Sequence, residues 1–398
     1  MKIVAINSLP TGSPAMIMRD VLKKASDELD AECYSFYGNW KNTSSKYMES
    51  RRFGFRIENY LNYFIFKITG IHNVGSVLGT ISLLHKIKKI NPDVIHIHNI
   101  HLYVINTPLL FRYIKKNNIR TIWTLHDCWA FTGQCVHFSF ENCNKWEKGC
   151  YSCKRINAYP SSNIDSTRVM WKLKKKWFSN INDLTLTTPS LWLKHLVARS
   201  FMKQYPVVTI NNGIDLDVFF PRENNIRSAF SIKRQFILLG VAYEWGKKKG
   251  LDVFIELSKK LDNRFQIVLV GINNEVKKKI PKNIICIQRT LNQAKLAEIY
   301  TAADLFVNPT REEVLGLVNI ESLACGTPVI TFKTGGSPEC IDNKCGSIIE
   351  VDDIDAMIKN IVYICEKQPY KEEDCIRRSQ LFNKNDKYMD YIELYSKT

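Results

Sequence analysis

Asn308–Glu339 reads NPTREEVLGLVNIESLACGTPVITFKTGGSPE. A strand is expected to end near Pro309, a polar turn follows, and an apolar helix should run from about Leu315 to Ala324 with Gly326 suited to its C-terminal cap. Another β-rich run, Pro328–Thr331, starts at once. Strand, helix and strand in such short order fit a parallel sheet covered by helices.

The same alternation extends both ways from this stretch. Around it lie the expected strands Gln235–Val241, Gln266–Val270, Ile284–Ile287, Leu305–Asn308 and Ser347–Ile349. An earlier series comprises Lys2–Asn7, Glu32–Phe36, Asp93–His98, Arg120–Leu125, Leu184–Thr188 and Val207–Ile210, with helices expected over Pro14–Leu29, Val77–Ile90 and Tyr103–Asn117. The turn-rich Asn211–Asn225 separates the two series. At 398 residues the chain suits two α/β domains, 1–212 and 213–379. Ligands of open α/β sheets sit beyond the carboxyl ends of the strands, so two doubly wound, Rossmann-like domains should face an interdomain cleft. Arg51–Thr69, RRFGFRIENYLNYFIFKIT, mixes basic and aromatic residues at helical spacing. It reads as a helix packed on the first sheet or, in second place, as an interfacial helix resting on anionic lipid.

Lys and Arg outnumber Asp and Glu by 56 to 39, a net charge of +17 that favours anionic partners. Nucleotide sugar, anionic membrane and nucleic acid all satisfy that field. No run of about 18 uncharged apolar residues occurs and the N-terminus reads as a strand, so a cytoplasmic location is expected. Seven of the twelve cysteines are scattered through expected strands and helices and read as small apolar residues. The other five lie between Cys128 and Cys153. Four of them, Cys135, Cys143, Cys150 and Cys153, are the complement for a structural tetrahedral zinc; disulfides and a redox pair are the competing accounts.

Glu313 and Glu321 are eight positions apart and would stand about 12 Å apart on one helix, able to reach different parts of an extended ligand. Glu312, one residue off register, is expected to face solvent. The helix start at Leu315, Gly316 and Leu317 leaves backbone N–H groups open to phosphate. Lys247–Lys249 precede Gly250 just after an expected strand and concentrate positive charge there. Gly12 lies in the loop after the first strand, a place for phosphate or acceptor contact. His126 ends the strand Thr121–Leu125, and the histidines of HIHNIH, His96–His101, are expected on opposite sides of the sheet. Asn99 or His101 of that run would line a ligand on the acceptor side.

Glu313, Glu321, Ala324–Pro328 and Gly335–Glu339 together resemble the signature of the family 4 glycosyltransferases. The segment 92–160 is similar to a bacterial capsule, exopolysaccharide and O-antigen branch with HN-x-H, TLHDCWAFTG-x-C and four-cysteine runs. The resemblance implies the GT-B fold, with residues 380–398 crossing back to the first domain. It implies retaining transfer from a UDP- or GDP-sugar, with Glu321 on the ribose, Glu313 on the donor sugar, His126 against that sugar and Lys249 on the phosphates. The arginine the family carries after the strand before Ala242 is missing here, which leaves Lys248 or Lys247 to supply the second charge. A lipid-linked oligosaccharide acceptor, an anionic inner membrane surface, and neither catalytic metal nor nucleic acid complete the expectation. A sugar-nucleotide epimerase and a zinc-bearing nucleic-acid binder are the alternatives.

Overall fold

The computed structural model describes residues 1–38, 40, 50–233, 235–290 and 292–397. The chain divides into two compact units, Met1–Ile210 with Tyr388–Thr398, and Asn211–Lys387.

The sheet of unit 1 comprises β1 (Lys2–Asn7), β2 (Glu32–Gly38), β3 (Ser50–Phe53), β4 (Val94–Ile97), β5 (Arg120–Thr124), β6 (Leu184–Thr188) and β7 (Val207–Thr209). All pair in parallel in the order β3-β2-β1-β4-β5-β6-β7. The order reverses between β1 and β4, so their C-terminal loops flank the crevice where such sheets take ligands. Helix α1 (Ser13–Leu29) follows β1, and α2 (Arg56–Thr69) and α3 (Val77–Ile90) lie between β3 and β4. The sheet of unit 2 comprises β8 (Phe236–Val241), β9 (Phe265–Val270), β10 (Ile285–Ile287), β11 (Leu305–Asn308), β12 (Val329–Phe332) and β13 (Gly346–Ile349), again all parallel, in the order β10-β9-β8-β11-β12-β13. Its reversal falls between β8 and β11.

The near-continuous apolar runs of β8 and β9, FILLGV and FQIVLV, are what a sheet buried on both faces requires. Successive side chains alternate between two cores: Ile237 and Leu239 join one with Ile320 and Leu323, and Leu238 joins the other with Phe254 and Ile361.

Two expected elements are revised. Arg51–Thr69 is not one helix: its first residues form the edge strand β3, Gly54 turns at φ 79°, and the helix begins at Arg56. Short charged edge strands lack the alternating apolar signal that reveals central ones. The helix expected from Tyr103 starts at Thr107, because Tyr103 adopts φ 55° and the Asn106 side chain caps the Leu109 N–H at 3.0 Å.

The C-terminal helix Lys384–Ser396 begins in unit 2, where Lys384 Nζ meets Asp215 at 2.6 Å, and ends in unit 1. There Tyr391 and Tyr395 are buried; the Tyr395 hydroxyl sits 2.6 Å from His96 Nδ1, and His96 Nε2 lies 2.8 Å from Thr124 Oγ1. Burial pushes His96 down to about 3, so this imidazole is neutral and structural. Truncating Tyr395 to Ala should remove a filled core site and a buried hydrogen bond together, destabilising unit 1 by about 3–5 kcal/mol in denaturant unfolding. A loss under about 1 kcal/mol would mean that the helix is not an integral part of unit 1.

Candidate functional site

In unit 2 the loops after β8 and β11 meet at the point where the strand order reverses. The first ends in a tight turn, Lys247–Lys249, closed by Gly250 at φ 72°. A Cβ at Gly250 would stand 2.4 Å from the Pro309 carbonyl, so only glycine lets the two loops touch. Arg311 seals the contact: its backbone N–H donates to Lys248 O at 2.8 Å, and its buried guanidinium pairs with Asp252 and Asp352.

Across this junction Lys249 Nζ lies 2.8 Å from Glu313 and Lys248 Nζ 3.1 Å from Glu312. Lys249 and Glu313 are both partly accessible and so remain open to a ligand. Glu312 does not face solvent as expected. Its side chain is only 4% exposed, because the lysine turn comes back over it, an approach one strand away in the sheet and invisible in the local spacing. Lys248 is thereby partnered, and only half of its side chain reaches solvent.

Leu317–Ala324 is helical, with Gly316 as N-cap at φ 97°; the helix therefore starts two residues later than expected. Leu315 lies outside it, packed in the core at 2% exposure, and the first turn offers Leu317 and Val318 backbone groups rather than Leu315. Buried polar side chains hold this start in place: Asn319 Nδ2 donates to Ser337 Oγ and Asn308 Nδ2 to Asn319 Oδ1, both at 2.8 Å. Gly335 lies so close to Glu313 that a Cβ would stand 1.7 Å from the Glu313 carbonyl oxygen. The Gly335-Gly336 turn thus sets the Glu313 backbone. Further along the helix, Glu321 Oε2 accepts from Tyr300 Oη at 3.0 Å, and desolvation pushes its carboxyl up to about 7 even though the residue keeps a partly open edge.

Sequence reading missed Tyr300, Arg311, Asn319 and Ser337, whose roles arise from contacts between separate loops. It also missed Arg289, whose guanidinium lies 4.2 Å from the Tyr243 ring centroid. Arg289 comes from the loop after β10 and Tyr243 from the segment after β8.

In unit 1 the loops after β1 and β4 are tied together, Ser8 N–H to Asn99 O at 2.7 Å and Asn99 N–H to Asn7 Oδ1 at 3.0 Å. Gly12, at φ 89°, caps α1 with open space around it; the nearest atom to an added Cβ would be 4.0 Å away. His126 Nε2 lies 2.9 Å from His98 Nδ1 with the rings stacked, and burial lowers His126 to about 4 against the opposing pull of Asp127. His101 bridges Asp127 and the Tyr159 hydroxyl, each at 3.0 Å. His96 and His98 share one side of β4, ring centroids 4.2 Å apart, contrary to the expectation of opposite sides; residues two apart on a strand point the same way. Among the described residues the buried His98 Nε2 has no hydrogen-bond partner, and it borders a small cavity with His101, His126 and Asp127.

Cys135, Cys143, Cys150 and Cys153 all line one cavity of about 200 Å³, as free thiols. The Gly133 N–H donates to Cys150 Sγ at 3.1 Å. Burial, aided by the neighbouring thiols, pushes Cys135 up to about 12 and Cys150 up to about 11. Among the described residues no three His, Cys, Asp or Glu groups are placed to hold one metal ion. The four thiols therefore share a cavity without forming a ligand shell.

Residues 63–218 match the model described as Glycosyltransferase Family 4, and residues 222–382 the model described as Glycosyl transferases group 1. The chain belongs to the family 4 glycosyltransferases. The putative colanic acid biosynthesis glycosyl transferase WcaC of Escherichia coli K12 is 23% identical over 66% of the chain, a match that spans 65% of WcaC. An uncharacterized 41.2 kDa protein in the cps region of Klebsiella pneumoniae is 22% identical over 83% of the chain and 86% of its own length. The structure of Anabaena HepE in complex with UDP superposes with a TM-score of 0.70 at 14% identity, covering all of both chains. That likeness assigns the paired Rossmann-like units of this family 4 chain to the GT-B fold.

The Glu321 environment sets a pH dependence. A carboxyl raised above its unfolded value binds more protons folded than unfolded between about pH 4.5 and 7, so stability should fall as pH rises through that window. Glu321→Gln should flatten this slope in denaturant midpoints measured against pH. An unchanged slope would mean that Glu321 is not the desolvated group.

Proposed function

We propose that this family 4 chain is a retaining glycosyltransferase. It moves a sugar from a UDP- or GDP-sugar to a lipid-linked glycan acceptor in the synthesis of a cell-surface polysaccharide, working at an anionic membrane surface. The observation that carries the reading is the Lys249–Glu313 pair at the strand-order reversal of unit 2, with Glu321 further along the helix that follows. The likeness to WcaC, named for colanic acid biosynthesis, supports the polysaccharide, and the likeness to HepE, which binds UDP, supports the nucleotide.

In this reading the Glu321 carboxylate accepts hydrogen bonds from the two ribose hydroxyls, and Glu313 accepts from hydroxyls of the donor sugar. Lys249, Lys248 and the backbone N–H groups at Gly316 and Leu317 neutralise the diphosphate, with Leu315 only packing beneath them. Donor phosphate would compete with Glu313 for Lys249, so the present ion pair holds the lysine in place until substrate arrives. Gly12 gives a backbone contact for phosphate or acceptor, and His126 is assigned to the sugar. No side chain is cast as a covalent nucleophile. The departing phosphate takes the acceptor's proton on the same face of the sugar, which retains configuration and asks of the protein only positioning and charge.

The two glutamates should separate. Glu321→Ala should weaken UDP or GDP binding roughly 10- to 100-fold by calorimetry, the scale of a charge-assisted hydrogen bond. Glu313→Ala should leave free-nucleotide affinity near wild type while transfer drops by a similar factor. Full activity in both variants would sink the assignment.

Cys135, Cys143, Cys150 and Cys153 enter the reading as a structural zinc site. Their support is donor chemistry and a shared cavity, and binding would require the thiols to draw together and ionise. Elemental analysis should find zinc in the purified chain and less in Cys150→Ser, with a lower melting temperature. Metal content indifferent to that substitution removes zinc from the account.

A further inference from the structure

Helix α2 is built inside out. Its buried stripe contains Asn59, Asn62 and Phe66, and the two amides are held by the structure around them. Asn62 Nδ2 donates to the Tyr103 carbonyl at 2.8 Å, Asn62 Oδ1 accepts from the Gly75 N–H at 3.1 Å, and Asn59 Oδ1 accepts from Ser76 Oγ at 2.8 Å. The outward stripe is apolar: Ile57, Tyr60, Leu61, Phe64 and Ile68 follow one another at helical spacing, with Ile57 at 79% exposure and Phe64 at 60%. A helix on a water-facing surface shows the opposite arrangement.

The neighbouring α3 continues the patch. Leu78 and Ile81 are exposed on one face, and Lys88 and Lys89 extend that face at the C-terminal end. Arg51, Arg52, Arg56 and Lys67 border α2, and Lys86 Nζ reaches the Arg52 carbonyl at 3.4 Å, which sets the basic end of α3 beside the arginine strand β3. Contiguous exposed apolar surface marks an interaction site, and a basic rim selects an anionic one. A second copy meeting this face would set the two basic rims against each other on a chain of net charge +17. No helix among the described residues is long and apolar enough to cross a bilayer, so the contact lies along its surface.

We propose that the outward faces of α2 and α3 dock on an anionic lipid bilayer, with Ile57, Leu61, Phe64, Leu78 and Ile81 entering the acyl boundary while the basic rim rests on the headgroups. The Asn62 bond to Tyr103 fastens α2 to the loop after β4, which also carries His98 and His101. Docking therefore holds that loop near the lipid surface. The docking deepens the membrane-surface reading proposed above, and its consequence for acceptor delivery rests on the lipid-linked acceptor.

Flotation of the full chain with vesicles of phosphatidylglycerol and phosphatidylethanolamine in equal parts, and with phosphatidylcholine alone, tests the surface. Wild type should float with the anionic vesicles, stay behind with the neutral ones, and detach as salt is raised. Ile57→Glu/Leu61→Glu/Phe64→Glu should abolish flotation with melting temperature and UDP affinity unchanged, because all three side chains already face outward. Lys88→Glu and Lys89→Glu should each cost about fivefold or more in partitioning. The proposal is overturned if the triple variant floats like wild type or if wild type ignores anionic lipid. It is equally overturned if wild type is a dimer by sedimentation that the triple variant makes monomeric, since a second copy then occupies the face. Absence of UDP binding by a wild type that still floats would sink the donor reading and leave docking standing.

Discussion

Gly250 and Gly335 have no Cβ, and unit 2 cannot be assembled otherwise. Gly250 lets the loop after β8 touch the Pro309 carbonyl, and Gly335 lets the turn after β12 touch the Glu313 carbonyl. Three loops from three adjacent strands are thereby pressed into one junction. Lys249 and Glu313 meet because the backbones beneath them already do. An ion pair between partly exposed side chains contributes little to stability in itself, of the order of 0–1 kcal/mol, so its consequence is geometric: two charges of opposite sign are held ready at the place where a doubly wound sheet takes its ligand.

The supporting shell is polar, buried and satisfied. Asn308, Asn319, Thr331 and Ser337 bond to one another beneath the start of the Leu317–Ala324 helix, and Arg311 spends its guanidinium on Asp252 and Asp352. Such groups are costly to leave unpaired, so the network tolerates few alternative arrangements and rigidifies the loops that carry Lys249 and Glu313. Unit 1 uses the same device differently. Its histidines divide by environment: His96 is locked between Tyr395 and Thr124, whereas the half-buried His126 and the buried His98 stack beside a small cavity and leave His98 Nε2 unpartnered among the described residues. Three histidines of one colour in the sequence thus become a structural group and a pair with capacity to spare.

α2 reverses the ordinary logic of a helix by burying amides and exposing apolar side chains. Its inward amides attach it to the loop after β4, so the element that faces outward is joined mechanically to the histidine-bearing wall of unit 1.

Alternation of β-rich and amphipathic runs determined, from sequence alone, that the chain builds two parallel, doubly wound sheets, because a strand buried on both faces must be apolar at nearly every position and the helices between must be apolar on one side. The combination from Glu313 to Glu339 likewise pointed to the family, since its glycines and acids sit at spacings a strand–turn–helix imposes. What tertiary structure alone decided is everything that depends on two loops meeting. Glu312 is covered rather than exposed, the helix starts at Leu317, Arg311 and Arg289 bring charge from other loops, and Arg51–Phe53 pair as an edge strand although their local pattern suits a helix. Local spacing records periodicity along one element; it holds no record of which backbone will lie across from it, and here those approaches place the charges.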